Sequence, residues 1–316
     1  MSQSLRFVPV GLFGAVMGLA GLGLAGRAAM PVAPVPARFP EFWIALAALA
    51  LTALLATYVL KVLRHGAAVR EELANPALIG FCAALPVGMT LVAAGVEPHS
   101  ATLAQGLWWC GVLLMLALQA WALTLLLRRR VGIVHINGGW LIVLVGGIVM
   151  PFAGLPLGHR ELAAAMFCVS AFAAPFVMGA IFYRMKTGPA LPEGLRPSAF
   201  ILLVPPSLIY VNGDTLWPGQ GVPPLEWLYY LALPLAAALF LSARQFWRWP
   251  FGAPWWAFTF PLDALAGAAA HFAQAHPAGP WRPLAGGLLL LATAAVVLVL
   301  FRTLLALLRG SLFVPK

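Results

Sequence analysis

Charge is scarce in this chain. Only 9% of its 316 residues are Asp, Glu, Lys or Arg, against roughly 25% in soluble domains. That scarcity excludes a soluble globular protein. The hydrophobic share is 62% and mean hydropathy is +0.94, and the apolar runs leave no stretch for a separate soluble domain. Residues 1–316 read as a single transmembrane domain. Cysteine is also sparse: Cys82, Cys110 and Cys168 each fall inside an apolar run without paired spacing. That excludes a disulfide framework and fits small, buried apolar residues. No HExxH, CxxC or nucleotide-binding loop occurs, and His65, His99, His135, His159 and His276 fall in or near loops. No metal site, cofactor or catalytic constellation is expected, so the chain does not read as an enzyme.

What the chain has in quantity is long apolar runs and proline. A span needs ~20 mainly apolar residues, and ten such runs can be placed: 6–28, 42–63, 77–95, 102–127, 138–156, 161–184, 198–216, 223–246, 254–275 and 283–308. The odd-numbered runs carry Pro9, Pro86, Pro151, Pro205 with Pro206, and Pro261; only Pro175 and Pro234 interrupt the even ones. Proline removes a backbone hydrogen bond that lipid cannot replace, so a kinked helix needs shelter among other helices or along a water-filled path. The expected fold is all-α, with ten transmembrane helices as hairpins and the odd, proline-kinked helices forming an inner ring around a pore. Small residues concentrate in the first run (Gly11, Gly14, Gly18, Gly21) and the fifth (Gly146, Gly147, Gly154). They either permit close helix approach or leave a narrow lumen open. Candidate lining positions are therefore Gly14, Gly18, Pro86, Pro151, Pro205 and Pro261.

With the N-terminus in the cytoplasm, only Arg27, Arg38, Arg160 and Arg282 of the 19 basic residues fall outside. The positive-inside rule thus puts both termini in the cytoplasm of a multi-pass protein, and it accounts for the net charge of +10 with no nucleic-acid partner. Trp43, Trp217, Trp227 and Trp281 flank outer ends, and Trp247, Trp249, Trp255 and Trp256 cluster near an inner one, as interfacial belts do.

The ninth run holds the most distinctive stretch, Pro254-Trp255-Trp256-Ala257-Phe258-Thr259-Phe260-Pro261-Leu262-Asp263. At about 100° per residue, Phe258 and Phe260 point to nearly opposite sides, so one of them can face a lumen. The Phe260 face continues through Ala264, Gly267, Ala268 and His271, all but the last small, whereas Phe258 shares its side with Leu262. A large ring on a small-residue face beside a proline can plug a narrow pore, and it can equally fill a gap between helices. Asp263 is the one carboxylate placed well inside a run. Desolvation disfavours its charged form, which makes it a candidate proton site or a hydrogen-bonding partner for backbone freed at a neighbouring kink.

These stretches together resemble the TehA/slow-type anion channel family, which includes tellurite-resistance and C4-dicarboxylate transporters. The resemblance rests on Val8-Pro9-Val10-Gly11 through Gly21, on Trp255–Pro261, on Leu191-Pro192 with Leu195-Arg196-Pro197, on Pro205-Pro206, and on Pro86 and Val149-Met150-Pro151. It implies five helical hairpins around a quasi-fivefold axis, a homotrimer in the plasma (bacterial inner) membrane, and one pore per subunit for small inorganic anions, C4-dicarboxylates or tellurite-like oxyanions. It also implies that a ninth-span phenylalanine blocks the pore, a role that falls by motif position on Phe260, with Phe258 as fallback. Asp263 departs from the small, apolar pattern expected after that motif, and a proton-coupled transporter using Asp263 is the alternative.

Overall fold

The computed structural model describes residues 5–219, 224–243 and 249–310. Trp247, Arg244, Arg248 and Lys316, together with the ends of the run at 223–246, lie outside the described residues. Ten apolar segments follow one another: α1 (Val10–Ala29), α2 (Arg38–Arg64), α3 (Ile79–Val96), α4 (Ala101–Leu127), α5 (Gly139–Gly154), α6 (Arg160–Thr187), α7 (Glu193–Leu216), α8 (Pro224–Ser242), α9 (253–275) and α10 (Trp281–Leu308). Among the described residues eight helices are long and apolar enough to cross a membrane, and α5 is a shorter apolar one. A short surface helix, Gly66–Ala74, connects α2 to α3.

Two classes of segment alternate. The apolar windows of α1, α3 and α7 are 83%, 89% and 67% buried, whereas those of α2, α4, α6, α8 and α10 are between 22% and 33% buried. Contacts explain the difference. Each odd segment packs on the next, α1 on α3, α3 on α5, α5 on α7, α7 on α9, and α9 returns to α1. The inner ring is thereby closed with five members. Each even segment lies outside, against the odd segments before and after it. Their large outward side chains, such as Leu113, Phe172 and Leu290, are exposed, as a lipid-facing surface requires.

The odd segments are broken rather than bent. α1 begins as a 3-10 turn, Val10–Phe13, before its α-helical part. α3 is interrupted at Ala83, α5 passes through a 3-10 turn at Gly146–Val149, and α7 and α9 start as 3-10 stretches, Glu193–Leu203 and Ala253–Phe258. Pro86, Pro151, Pro205, Pro206 and Pro261 all sit within the first three residues of the α-helical part that follows. There the backbone N–H has no intrahelical partner in any case, so these prolines initiate half-helices and sacrifice no hydrogen bond. Mid-helix prolines occur instead on the outer ring, Pro175 in α6 and Pro234 in α8.

The breaks leave carbonyls that lipid cannot satisfy, and inward side chains supply the donors. Trp108 Nε1 donates to the Met150 carbonyl at 3.1 Å, Asn212 Nδ2 to Ile148 at 2.6 Å, Thr90 Oγ1 to Pro86 at 3.0 Å and Thr259 Oγ1 to Trp256 at 2.9 Å. Of the cysteines only Cys82 is buried; Cys110 and Cys168 are exposed on the outer ring, which corrects the expectation that all three are interior.

Candidate functional site: two chambers on the ring axis

α1 carries a glycine every three or four residues, and this stripe lies against α9. A Cβ at Gly14 would meet Trp256 Cβ at 3.1 Å, one at Gly18 would collide with Thr259 Oγ1, and one at Gly21 would sit 2.8 Å from Phe260 Cδ2 and 2.9 Å from Asp263 Oδ2. The two segments can approach this closely only because α1 has hydrogen at these positions. Gly21 in particular forms the notch in which the Phe260 ring and the Asp263 carboxyl sit side by side.

Along the axis lie two chambers, each lined by all five odd segments. The inner one, about 40 Å³, is lined by Gly14 of α1, Phe81 of α3, Val149 of α5, Val204 and Pro205 of α7, and Trp256, Phe260 and Pro261 of α9, among others. Among the described residues no ionisable side chain lines it. That volume holds about three water molecules, so an ion inside it would have shed most of its hydration shell. The outer chamber, about 80 Å³, is lined by Gly21 of α1, Leu91 of α3, Phe152 of α5, Leu208 and Val211 of α7, and Phe260, Asp263, Ala264, Gly267 and His271 of α9. Among the described residues Phe260 is the one side chain that lines both chambers. It is buried, 5% exposed, at the junction of the two linings.

The inner chamber shares Ala253 and Pro254 with a wider vestibule of about 560 Å³, lined by Arg6, Glu71, Glu72 and Asn75. The fully buried Lys61 secures this end: its Nζ donates to the Val8 carbonyl at 2.7 Å and pairs with Glu72 at 2.6 Å, and Tyr58 donates to the same carboxylate at 2.7 Å. The short surface helix is thus tied to the start of α1 at the vestibule wall. At the opposite end Arg27 donates to both carboxylate oxygens of Glu41, and His99 Nε2 meets Glu41 Oε2 at 2.8 Å.

Asp263 is 1% exposed, and neither carboxyl oxygen has a hydrogen-bond partner among the described residues. His271, two turns further along α9, turns its Nε2 to Asp214 Oδ2 at 2.8 Å and stands T-shaped to the Tyr210 ring. Asp263 therefore does not hydrogen-bond backbone freed at the break, the second of the two roles open to it from sequence.

The other residues singled out from sequence divide. Gly14, Pro205 and Pro261 line the inner chamber, and Ala264, Gly267 and His271 the outer one. Gly18, Pro86 and Pro151 are in neither lining. Gly18 is consumed by the close approach of Thr259, and the two prolines begin half-helices. Phe258 also lines neither chamber; its ring lies among Phe200 and Trp255, with centroids at 5.9 and 6.3 Å. Sequence reasoning overlooked the rings and branched chains brought in by other segments, such as Phe81, Val149, Phe152 and Leu208. Nothing local marks these residues, because their role comes from ring closure.

Residues 8–304 match the family described as voltage-dependent anion channel. Among characterised proteins, the guard cell S-type anion channel SLAC1 of Arabidopsis thaliana is 27% identical over 255 residues, 79% of this chain and 46% of that protein. The S-type anion channel SLAH3 of the same plant is 26% identical over 84% of this chain and 43% of its own length, and SLAH2 is 25% identical over 72% and 44%. The chain spans less than half the length of these relatives.

Proposed function

We propose, for a chain that belongs to the voltage-dependent anion channel family, that it conducts small anions along the axis of its inner ring, with Phe260 as the moving barrier. The observation that carries this reading is the position of Phe260, a side chain common to the linings of the inner and the outer chamber. The relatives' names, S-type anion channels, point to the cargo. With no ionisable group along the inner chamber, selection there rests on size and dehydration, which favours weakly hydrated anions. Small inorganic anions, C4-dicarboxylates and tellurite-like oxyanions are the substrates to examine. We place the protein in the plasma membrane as a homotrimer, one conduit per subunit, with the basic, vestibule end in the cytoplasm.

A second reading is favoured by one observation, the unpartnered Asp263 beside the barrier. In that reading Asp263 carries a proton with each substrate, and the protein is a secondary transporter.

The test is current through purified protein in planar bilayers, comparing wild type with Phe260→Ala. A large anion current that appears in the variant supports an occluded anion conduit. Stoichiometric proton movement that Asp263→Asn abolishes supports the transporter. Silence in the correctly assembled Phe260→Ala protein contradicts the single-barrier account.

A further inference from the structure

Resting on the anion-conduction reading above, we propose that Asp263 makes the outer chamber selective for anions that carry their own O–H, such as hydrogencarbonate or a singly protonated carboxylate. Both carboxyl oxygens are buried without partners, and the side chain lines the chamber beside Phe260. The other walls offer it nothing: α1 contributes Gly21, Leu24, Ala25 and Ala28, α3 Leu91, α5 Phe152, and α7 Leu208 and Val211. Among the described residues the only other ionisable group in the lining is His271, which faces Asp214.

A buried carboxylate without a counter-charge is strongly unfavourable, so the form this site accommodates is the neutral carboxyl, one O–H donor beside one carbonyl acceptor. The chamber, about 80 Å³, holds roughly five to eight waters, enough for a trigonal anion of four heavy atoms. Nitrate or a halide accepts from the Asp263 O–H and leaves its carbonyl unsatisfied. Hydrogencarbonate, of nearly the same shape and the same charge as nitrate, accepts that bond and returns one to the carbonyl. The pair closes a ring of two hydrogen bonds. The preference thus comes from the second bond, which only an anion with a hydroxyl can make.

The experiment measures hydrogencarbonate-to-nitrate permeability ratios from reversal potentials in planar bilayers at one fixed pH, in a Phe260→Ala background. Asp263→Leu, which removes donor and acceptor, is expected to lower the ratio roughly three- to tenfold, the worth of about one hydrogen bond. Asp263→Asn keeps a donor and an acceptor on the same scaffold and is expected to hold the ratio within about twofold of the parent. A ratio unchanged in Asp263→Leu, with currents intact, overturns the inference and leaves anion conduction standing. A ratio lost equally in Asp263→Asn overturns it as well, because charge and not hydrogen bonding would then set the preference. Asp263→Ala repeats the measurement should the leucine variant fail to assemble. Absence of anion current in every variant, the Phe260→Ala parent included, overturns the conduction reading itself.

Discussion

The inner and outer chambers are made by the same five helices and touch the same phenylalanine, yet they differ in chemistry. The inner chamber is uncharged, about half the volume of the outer, and formed where the helices break into 3-10 turns. The outer chamber lies among continuous α-helical halves and holds Asp263 and His271. On the proposed conduction reading, an anion would meet two obstacles in series, loss of water on one side and the state of a carboxyl on the other, with Phe260 between them. The division also separates what a mutation changes: volume and hydration inside, hydrogen bonding and charge outside.

The largest effect is expected from merging the two chambers. Phe260→Ala is expected to raise anion conductance at least about tenfold over wild type, measured as bilayer current, because Phe260 is the side chain common to both linings. Next comes charge in the outer chamber alone. Wild-type anion flux is expected to fall as pH rises, since an ionised Asp263 places a like charge in the anion's path. Asp263→Asn cannot ionise and is expected to lose the part of that fall carried by Asp263 in the same pH series of a proteoliposome flux assay, leaving His271 as the other ionisable group of the lining.

A smaller effect distinguishes two glycines on one stripe. Gly21→Ala forces its new methyl against the Phe260 ring edge, 2.8 Å away, and the ring can yield toward either chamber. A severalfold rise in current, below that of Phe260→Ala, is expected. Gly18→Ala meets Thr259 in the helix–helix contact, where overpacking costs about 1–3 kcal/mol. It is expected to lower the thermal midpoint of the purified protein without raising current. The smallest effect belongs to the outer ring: Phe172→Leu on the exposed face of α6 is expected to change stability by less than about 0.5 kcal/mol and to leave current unchanged.

How much of this was legible in the sequence follows from the range over which each signal acts. Apolar run length is local, so all ten segments could be placed within a few residues of their positions in the structure. The alternation of proline also separated inner from outer segments. The mechanical role of those prolines was misjudged: Pro86 and Pro151 look like kinks in a run of letters, but each stands in the first turn after a break, which only the backbone reveals. The place of Phe260 in the chamber linings was legible through the small residues that follow it at helical spacing. Gly18 and Gly14 were not separable, since a glycine that opens a lumen and one that admits Thr259 look alike in sequence. The apolar walls supplied by α3, α5 and α7 left no sequence signal, being ordinary core residues until the ring closes around them.

The claim on which the rest depends is that Phe260 alone separates the two chambers. It is tested most directly by placing one cysteine at Ala264 of the outer chamber, with Cys82, Cys110 and Cys168 replaced, and adding a small membrane-impermeant thiol reagent from either side of the bilayer. The account predicts labelling from the outer side only while Phe260 is present, and from both sides in Phe260→Ala. Labelling from both sides with Phe260 in place, or from one side only after its removal, would contradict it.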